Sequence, residues 1–299
     1  MKQKLQTVLY GTLMGMADVI PGVSGATIAY ILGFYQDFLK TIKSFDVNVI
    51  KLALKGHIKA AIMRPHWGIA IPLLIGMVCG FIIFAKIIPI PQLLQIHPEP
   101  IYGLFFGLIV GSLPFLLKGH QFSAKNMLFL ALGIAFGLAV SLLAPQEAAA
   151  TPIYLFICGF LAISAMMLPG ISGSFVLLIL GQYAVVINAI ASFNIIFLLP
   201  FILGAFCGLI SLSRILHHLI SHFPHKMAYL ICGILIGSLY RIWPFQDRIY
   251  VIVREKQRLI SSTPQLPQNF DSQFWLTLAL MIIGFTFVYG LEKMQSLKN

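Results

Sequence analysis

Two copies of one short motif hold most of the groups that could do chemistry in this sequence. Pro21-Gly22-Val23-Ser24-Gly25 and Pro169-Gly170-Ile171-Ser172-Gly173 each interrupt an apolar stretch, and each has a second hydroxyl close by, Thr27 or Ser174. Glycine and proline open a helix, the following residues present backbone N–H groups, and the serine adds a hydroxyl. Such a helix start attracts an oxyanion of the phosphate kind. The plainer reading is a tight turn whose serines cap the next helix. Arg214, at the end of an apolar segment with Lys86 as its counterpart, is a candidate cation for the anion, and Arg241 beside Trp243 is a weaker one. Snorkelling of Arg214 to a lipid interface competes with that role. Asp18 has Met166 at the corresponding place, so only the first copy carries a carboxylate. An ionisable group at membrane depth is a functional candidate, here for proton coupling. The competing role is an ionised cap on the half-helix that follows.

These residues are positioned by an apolar chain. Of 299 residues, 59% are hydrophobic and 10% charged, too few charges for the surface of a soluble domain. Apolar stretches near 68–88, 101–117, 127–144, 195–213, 227–240 and 273–291 approach the length needed to span a bilayer. The net charge of +11 is spread through loops, so it points to anionic lipid and away from nucleic acid. Cys79, Cys158, Cys207 and Cys232 lie in apolar stretches without metal-ligand spacing and read as buried thiols. His217, His218, His222 and His225 lack nearby carboxylates or thiolates and read as interfacial residues, with no metal. Trp67, Trp243 and Trp275 sit at span ends, as an aromatic belt requires.

The motif duplication extends to the whole chain. Ile31-Leu32-Gly33-Phe34-Tyr35 matches Ile179-Leu180-Gly181-Gln182-Tyr183, giving eight identities in a fifteen-residue window. Pro72, Gly76, Cys79 and Gly80 match Pro200, Gly204, Cys207 and Gly208, after a longer loop in the first copy. Gly107-x-x-x-Gly111-Ser112-Leu113 matches Gly233-x-x-x-Gly237-Ser238-Leu239. The repeats are 1–150 and 151–299. Met1 to Ala17 imitates a signal peptide, but removing it would halve a unit whose partner is intact. The glycine stripes read as close helix packing.

In each copy the motif leaves about 16 residues on either side within 5–39 and 153–192, short for two spans. A re-entrant hairpin fits, and loop charge agrees. It places the basic loop 40–66 and residues 214–226 inside, and the Lys- and Arg-free loop 88–100 outside. Only loop 241–272, with Arg248, Arg254, Lys256 and Arg258, falls outside against the rule, and long loops weigh little in it. The expected fold is an all-α integral membrane protein of two inverted repeats, each with one re-entrant broken-helix hairpin and about three transmembrane helices. Broken helices at matching places of inverted repeats point to a substrate site where the two turns meet.

Met16-Ala17-Asp18-Val19-Ile20-Pro21-Gly22-Val23-Ser24-Gly25, Leu168-Pro169-Gly170-Ile171-Ser172-Gly173-Ser174-Phe175 and Gly237-Ser238-Leu239-Tyr240-Arg241-Ile242-Trp243-Pro244 resemble the bacterial family catalogued as domain of unknown function 368. Its members are implicated in transport of polyprenyl phosphate, undecaprenyl phosphate among them. Ala26 stands where the family usually has a further glycine. The resemblance implies return of the lipid carrier from the outer to the inner leaflet of the bacterial cytoplasmic membrane, with no cofactor. The partners are then the polyprenyl phosphate and the bilayer, and a homodimer is left open. Undecaprenyl-pyrophosphate phosphatases also carry Pro-Gly-x-Ser, followed by Arg-Ser and paired with catalytic glutamates. Here Gly25 and Gly173 replace that Arg, and Glu99, Glu147, Glu255 and Glu292 lie away from both motifs. A phosphoryl-transfer site without those groups is poorly equipped. A small-anion or ion transporter shares the same architecture.

Overall fold

The computed structural model describes residues 2–20, 23–88, 93–94, 96–143, 148–253 and 256–296. Pro21 and Gly22 of the first motif, and Glu147, lie outside these residues. The chain forms two compact units, Met1–Ile88 with Glu147–Pro224, and Pro89–Gln146 with His225–Asn299. Each unit therefore takes segments from both sequence repeats.

In the first unit α1 (Lys2–Asp18) is followed by the short α2 (Gly25–Ile31), then α3 (Tyr35–Lys43), α4 (Val47–Leu54), α5 (Ile58–Met63) and α6 (Trp67–Ile82). A π-helical turn, Ile83–Ile87, extends α6. In the second repeat α9 (Pro152–Met167), α10 (Gly173–Ile179), α11 (Tyr183–Ala191) and α12 (Ile195–His222) follow the same order. The long helices pack through glycine. A Cβ on Gly76 would lie 2.1 Å from the Val8 carbonyl oxygen, and one on Gly204 1.9 Å from that of Phe156. Gly80 likewise faces Thr12, and Gly208 faces Phe160. These contacts of α1 with α6 recur at the matching residues of α9 and α12, because no side chain larger than hydrogen fits at that backbone separation.

Each long helix then folds back on a short one. Gly25, at the start of α2, lies against Asp18 and the Met14 carbonyl, and Phe34 meets the Tyr10 ring at 5.3 Å. Gly173 lies against the Ala162 carbonyl, and the Tyr154 hydroxyl donates to the Leu180 carbonyl at 3.0 Å. Gly33 and Gly181, both at φ 68°, end α2 and α10 in the left-handed region that glycine tolerates. The chain bends by 118° between α10 and α11.

The second unit contains α7 (Pro98–Leu116), α8 (Ala124–Leu142), α13 (Pro224–Ile242) and α14 (Ser272–Ser296). Helix α7 packs on α14 through Gly107 against the Met281 carbonyl, and α8 on α13 through Gly133 against that of Leu230. α13 is buried on several faces, from Met227 through Gly237 and Ser238. Residues 241–272, expected as a loop, hold an antiparallel hairpin of β1 (Gln246–Val253) and β2 (Lys256–Pro264), with an irregularity at Ile249/Tyr250. The alternating, β-branched run Ile249, Val251, Val253 is what a strand requires.

Among the described residues four helices, α7, α8, α12 and α14, are long and apolar enough to cross a membrane, and α10 with α11 adds a fifth if the bent pair is one span. Their windows are only 17–44% buried. Ile196 is 88% exposed and Ile153 76%. An apolar surface on this scale is a lipid-facing one.

Candidate functional site

The first unit brings the two broken-helix motifs into contact. Ser24 is extended at φ −123° and ψ 136°, and its Oγ accepts a hydrogen bond from the Ala26 N–H, capping α2. The same hydroxyl donates to the Met166 carbonyl at 3.3 Å. Thr27 Oγ1 accepts the Gly170 N–H at 2.8 Å. Tyr35 donates its phenol proton to the Met167 carbonyl at 2.7 Å. Three side chains of the first motif thus hold the backbone of the second, where α9 ends and Gly170 takes φ 89°. Ser24 and Thr27 are 0% and 1% exposed. Burial at this level demands that their hydroxyls be paired, and these bonds pair them.

Asp18 completes the first turn. Its Oδ1 accepts the Gly25 N–H at 2.6 Å, so a carboxylate sits on the first helical N–H group of α2. A Cβ on Gly25 would lie 2.7 Å from Asp18 Oδ2. Glycine is needed for that carboxylate to come so close.

The second turn is finished differently. Met166 stands where Asp18 would be, and Ser172 makes no capping bond to α10. Its hydroxyl instead meets that of Ser174 at 2.8 Å, where either oxygen can be the donor. Ser172 is buried and Ser174 half-buried. Ser24 both donates and accepts, whereas the Ser172 and Ser174 hydroxyls bond only each other among the described residues and keep further hydrogen-bonding capacity.

Arg214 does not join this group. Arg214 is exposed on α12 and makes no hydrogen bond or ion pair among the described residues. Arg241 belongs to the second unit, where its carbonyl accepts from Gln246 Nε2 at 2.9 Å. Of the histidines, His218 and His222 stack at 4.0 Å within the first unit, and His225 Nδ1 lies 3.1 Å from His120 Nδ1 within the second.

Gln182 is a polar residue that the motif reading passed over. It is 0% exposed, its Nε2 donates to the Ala148 carbonyl at 2.7 Å, and its Oε1 has no partner among the described residues. The signal was available: Phe34 occupies the corresponding place in an otherwise matching Ile-Leu-Gly-x-Tyr run. Tyr35, conspicuous only as the end of that run, is the third fastening between the turns.

Comparison with known proteins adds an independent line. The family model described as undecaprenyl phosphate translocase-like matches residues 14–260. A polyprenyl-phosphate transporter of Vibrio cholerae is 36% identical over 302 residues, covering 97% of this chain and 96% of that protein. A polyprenyl-phosphate transporter of Staphylococcus aureus is 33% identical over 256 residues, covering 79% of this chain and 85% of that one. No solved structure matches. With both motifs and most of the chain inside the matched region, the protein belongs to the undecaprenyl phosphate translocase-like family.

Proposed function

We propose that this chain is a bacterial cytoplasmic-membrane transporter that returns undecaprenyl phosphate, or a related polyprenyl phosphate, from the outer to the inner leaflet. In this reading the repeats are inverted, the two α-helical hairpins are re-entrant, and the contact between their turns is the centre about which access alternates. The observation that carries it is the set of bonds from Ser24, Thr27 and Tyr35 to residues 166–170. Non-helical backbone at membrane depth is tolerated where it is buried in protein or lines a cavity, and these bonds bury one turn against the other.

The phosphate head group is assigned to the Ser172 and Ser174 hydroxyls with the Gly170 and Gly173 backbone around them, while the prenyl tail stays in lipid along the apolar helices. Ser24, Thr27 and Gly25 hold the turn that backs this site. Arg214, exposed on α12, meets the phosphate during entry or release and not in the closed turn. Asp18 is the one carboxylate in the two described turns, where its Oδ1 accepts the Gly25 N–H, and its protonation would remove a like charge from the surroundings of the phosphate while leaving an oxygen for that N–H. That gives inward movement of lipid a route for coupling to protons.

The test is native mass spectrometry of the full chain released from membranes, together with titration by polyprenyl phosphate. Retention of the monophosphate lipid by the parent chain, and weaker retention by Ser172→Ala and Ser174→Ala, is expected. Release of inorganic phosphate from the pyrophosphate form would replace this reading with the phosphatase one. Retention of neither lipid would favour a small-anion carrier.

A further inference from the structure

The first repeat carries an insertion that the second lacks, and its chemistry is the reverse of a water-soluble surface. Residues 44–67 form a closed clip of α4 and α5. Asp46 accepts the N–H groups of Asn48 and Val49 at the start of α4, at 3.1 and 3.2 Å. The same carboxylate takes Arg64, just beyond α5, in a two-pronged pair: Nε to Oδ1 at 3.0 Å and Nη2 to Oδ2 at 2.8 Å. Ser44 Oγ accepts the His66 N–H at 3.0 Å, and the Phe45 and Trp67 rings meet edge to face at 5.2 Å. Gly56, at φ 78°, turns α4 into α5, and the His57 N–H closes on the Leu52 carbonyl at 2.9 Å. The ends of the clip are thus joined by polar bonds.

What the clip exposes is apolar. Leu54 is 83% exposed, Ile58 54%, Ile62 58% and Met63 71%. Leaving four large aliphatic side chains in water forgoes the burial that drives such residues inward. Among them stand Lys51, Lys55 and Lys59, all exposed and without an ion-pair partner among the described residues. Asp46, which could neutralise one of them, is engaged with Arg64. The clip leads directly into α6, whose first residue, Trp67, begins an apolar helix. Covalent connection therefore holds it at the end of a membrane helix.

We propose that the α4–α5 clip is an interfacial anchor, its aliphatic side chains entering the acyl region of the adjoining leaflet and Lys51, Lys55 and Lys59 engaging the phosphates of anionic phospholipids. Exposed aliphatics need an apolar phase, unpaired lysines next to them need anions, and an anionic bilayer surface offers both at the depth where α6 begins. A protein partner would have to reproduce that layering. The inference requires α6 to sit in the membrane and is independent of which lipid is transported.

The test uses the full chain in nanodiscs, with Cys79, Cys158, Cys207 and Cys232 replaced and a nitroxide attached at Leu54→Cys or Ile62→Cys. Accessibility to oxygen, which partitions into lipid, is compared with accessibility to a water-soluble nickel chelate. Oxygen should dominate at both sites, more strongly in phosphatidylglycerol-containing discs than in pure phosphatidylcholine. Replacing Lys51, Lys55 and Lys59 together by Gln should abolish that difference, and replacing them by Arg should retain it. Free access of the chelate at both sites would overturn the anchor. Exclusion of both reagents would reveal a covering protein, a second copy included, and overturn it equally. Deep burial that is the same in both lipids and in the Gln variant would overturn the anionic assignment.

Discussion

The two turns share a sequence motif and differ in what completes it. In the first, Asp18 and Ser24 both accept N–H groups at the start of α2, and the Ser24 hydroxyl also reaches across to Met166. In the second, Met166 and Ser172 leave α10 without a side-chain cap, and Ser172 pairs with Ser174 instead. Duplication thus preserves the broken backbone while letting the side chains diverge. One turn is consumed in fastening the pair, and the other turns its two hydroxyls on each other.

The sharpest break in that comparison comes at Asp18. Asp18→Ala removes the acceptor of the Gly25 N–H and leaves a buried donor, at a cost of about 1–3 kcal/mol, readable as a lower midpoint of thermal unfolding. Met166→Ala, at the equivalent place, loses no hydrogen bond and should lack that penalty. Asp18→Asn keeps an oxygen for the Gly25 N–H but cannot titrate. Its stability should stay near that of the parent, while reconstituted transport should lose its dependence on a pH gradient. Undiminished gradient-driven transport by the Asn variant would leave Asp18 as a cap alone.

The serines sharpen the comparison next. Ser24→Ala should lower stability by about 1 kcal/mol, as loss of a helix cap does, and disturb lipid binding only through the fold. Ser172→Ala or Ser174→Ala should do the opposite: binding of polyprenyl phosphate weaker by about 1–3 kcal/mol, as for a lost bond to a charged group, with little change in unfolding. Ser112→Ala serves as the control, because Ser112 Oγ donates to Ile109 within its own helix. Equal effects of all these variants on binding would erase the distinction between the turns.

The sequence made the repeated break in the helices legible because glycine and proline act locally, and eight identities at a constant offset leave little room for chance. Meeting of the turns was also foreseeable from their duplication. The division of labour between Ser24 and Ser172 was not, since it depends on which carbonyl lies opposite each hydroxyl, a matter of how α9 approaches α2. Gln182 was hidden for a related reason: a single polar residue in an apolar run shows its importance only once burial is known. The clip at 44–67 and the strands of 246–253 and 256–264 read as loops in the sequence, because these elements are short and interspersed with charge and so lack the long apolar run that marks a span. The basic loop, valued for its total charge, turned out to be structured by one carboxylate, Asp46.

Tyr35→Phe has a smaller expected effect. It deletes the bond to the Met167 carbonyl and leaves the ring's packing, including the edge-on contact with Tyr30 at 5.3 Å, in place. A loss of about 1 kcal/mol in stability is expected. Tyr183, the corresponding residue of the second repeat, is half-buried, and Tyr183→Phe should change stability less. A larger loss at Tyr183 would reverse the assignment of the first turn as the one that fastens.

The smallest effect separates the repeats at the clip, which the first has and the second lacks. Arg64 and the N–H groups of α4 hold the Asp46 carboxyl down at about 2, below its ordinary 3.8. A group whose pKa is depressed in the folded state stabilises that state fully above its unfolded value and loses the contribution as pH falls through the folded one. The clip should therefore be unchanged from neutral pH to about 4 and loosen progressively between about 4 and about 2. Ion pairs this near the surface contribute modestly, so the change should be local: faster motion of a nitroxide at residue 54, with the helical signal of the spans retained. Asp46→Asn should show that faster motion already at neutral pH and lose the acid transition. An acid transition that persists in the Asn variant would mean that another group, not the Asp46–Arg64 clasp, closes the clip.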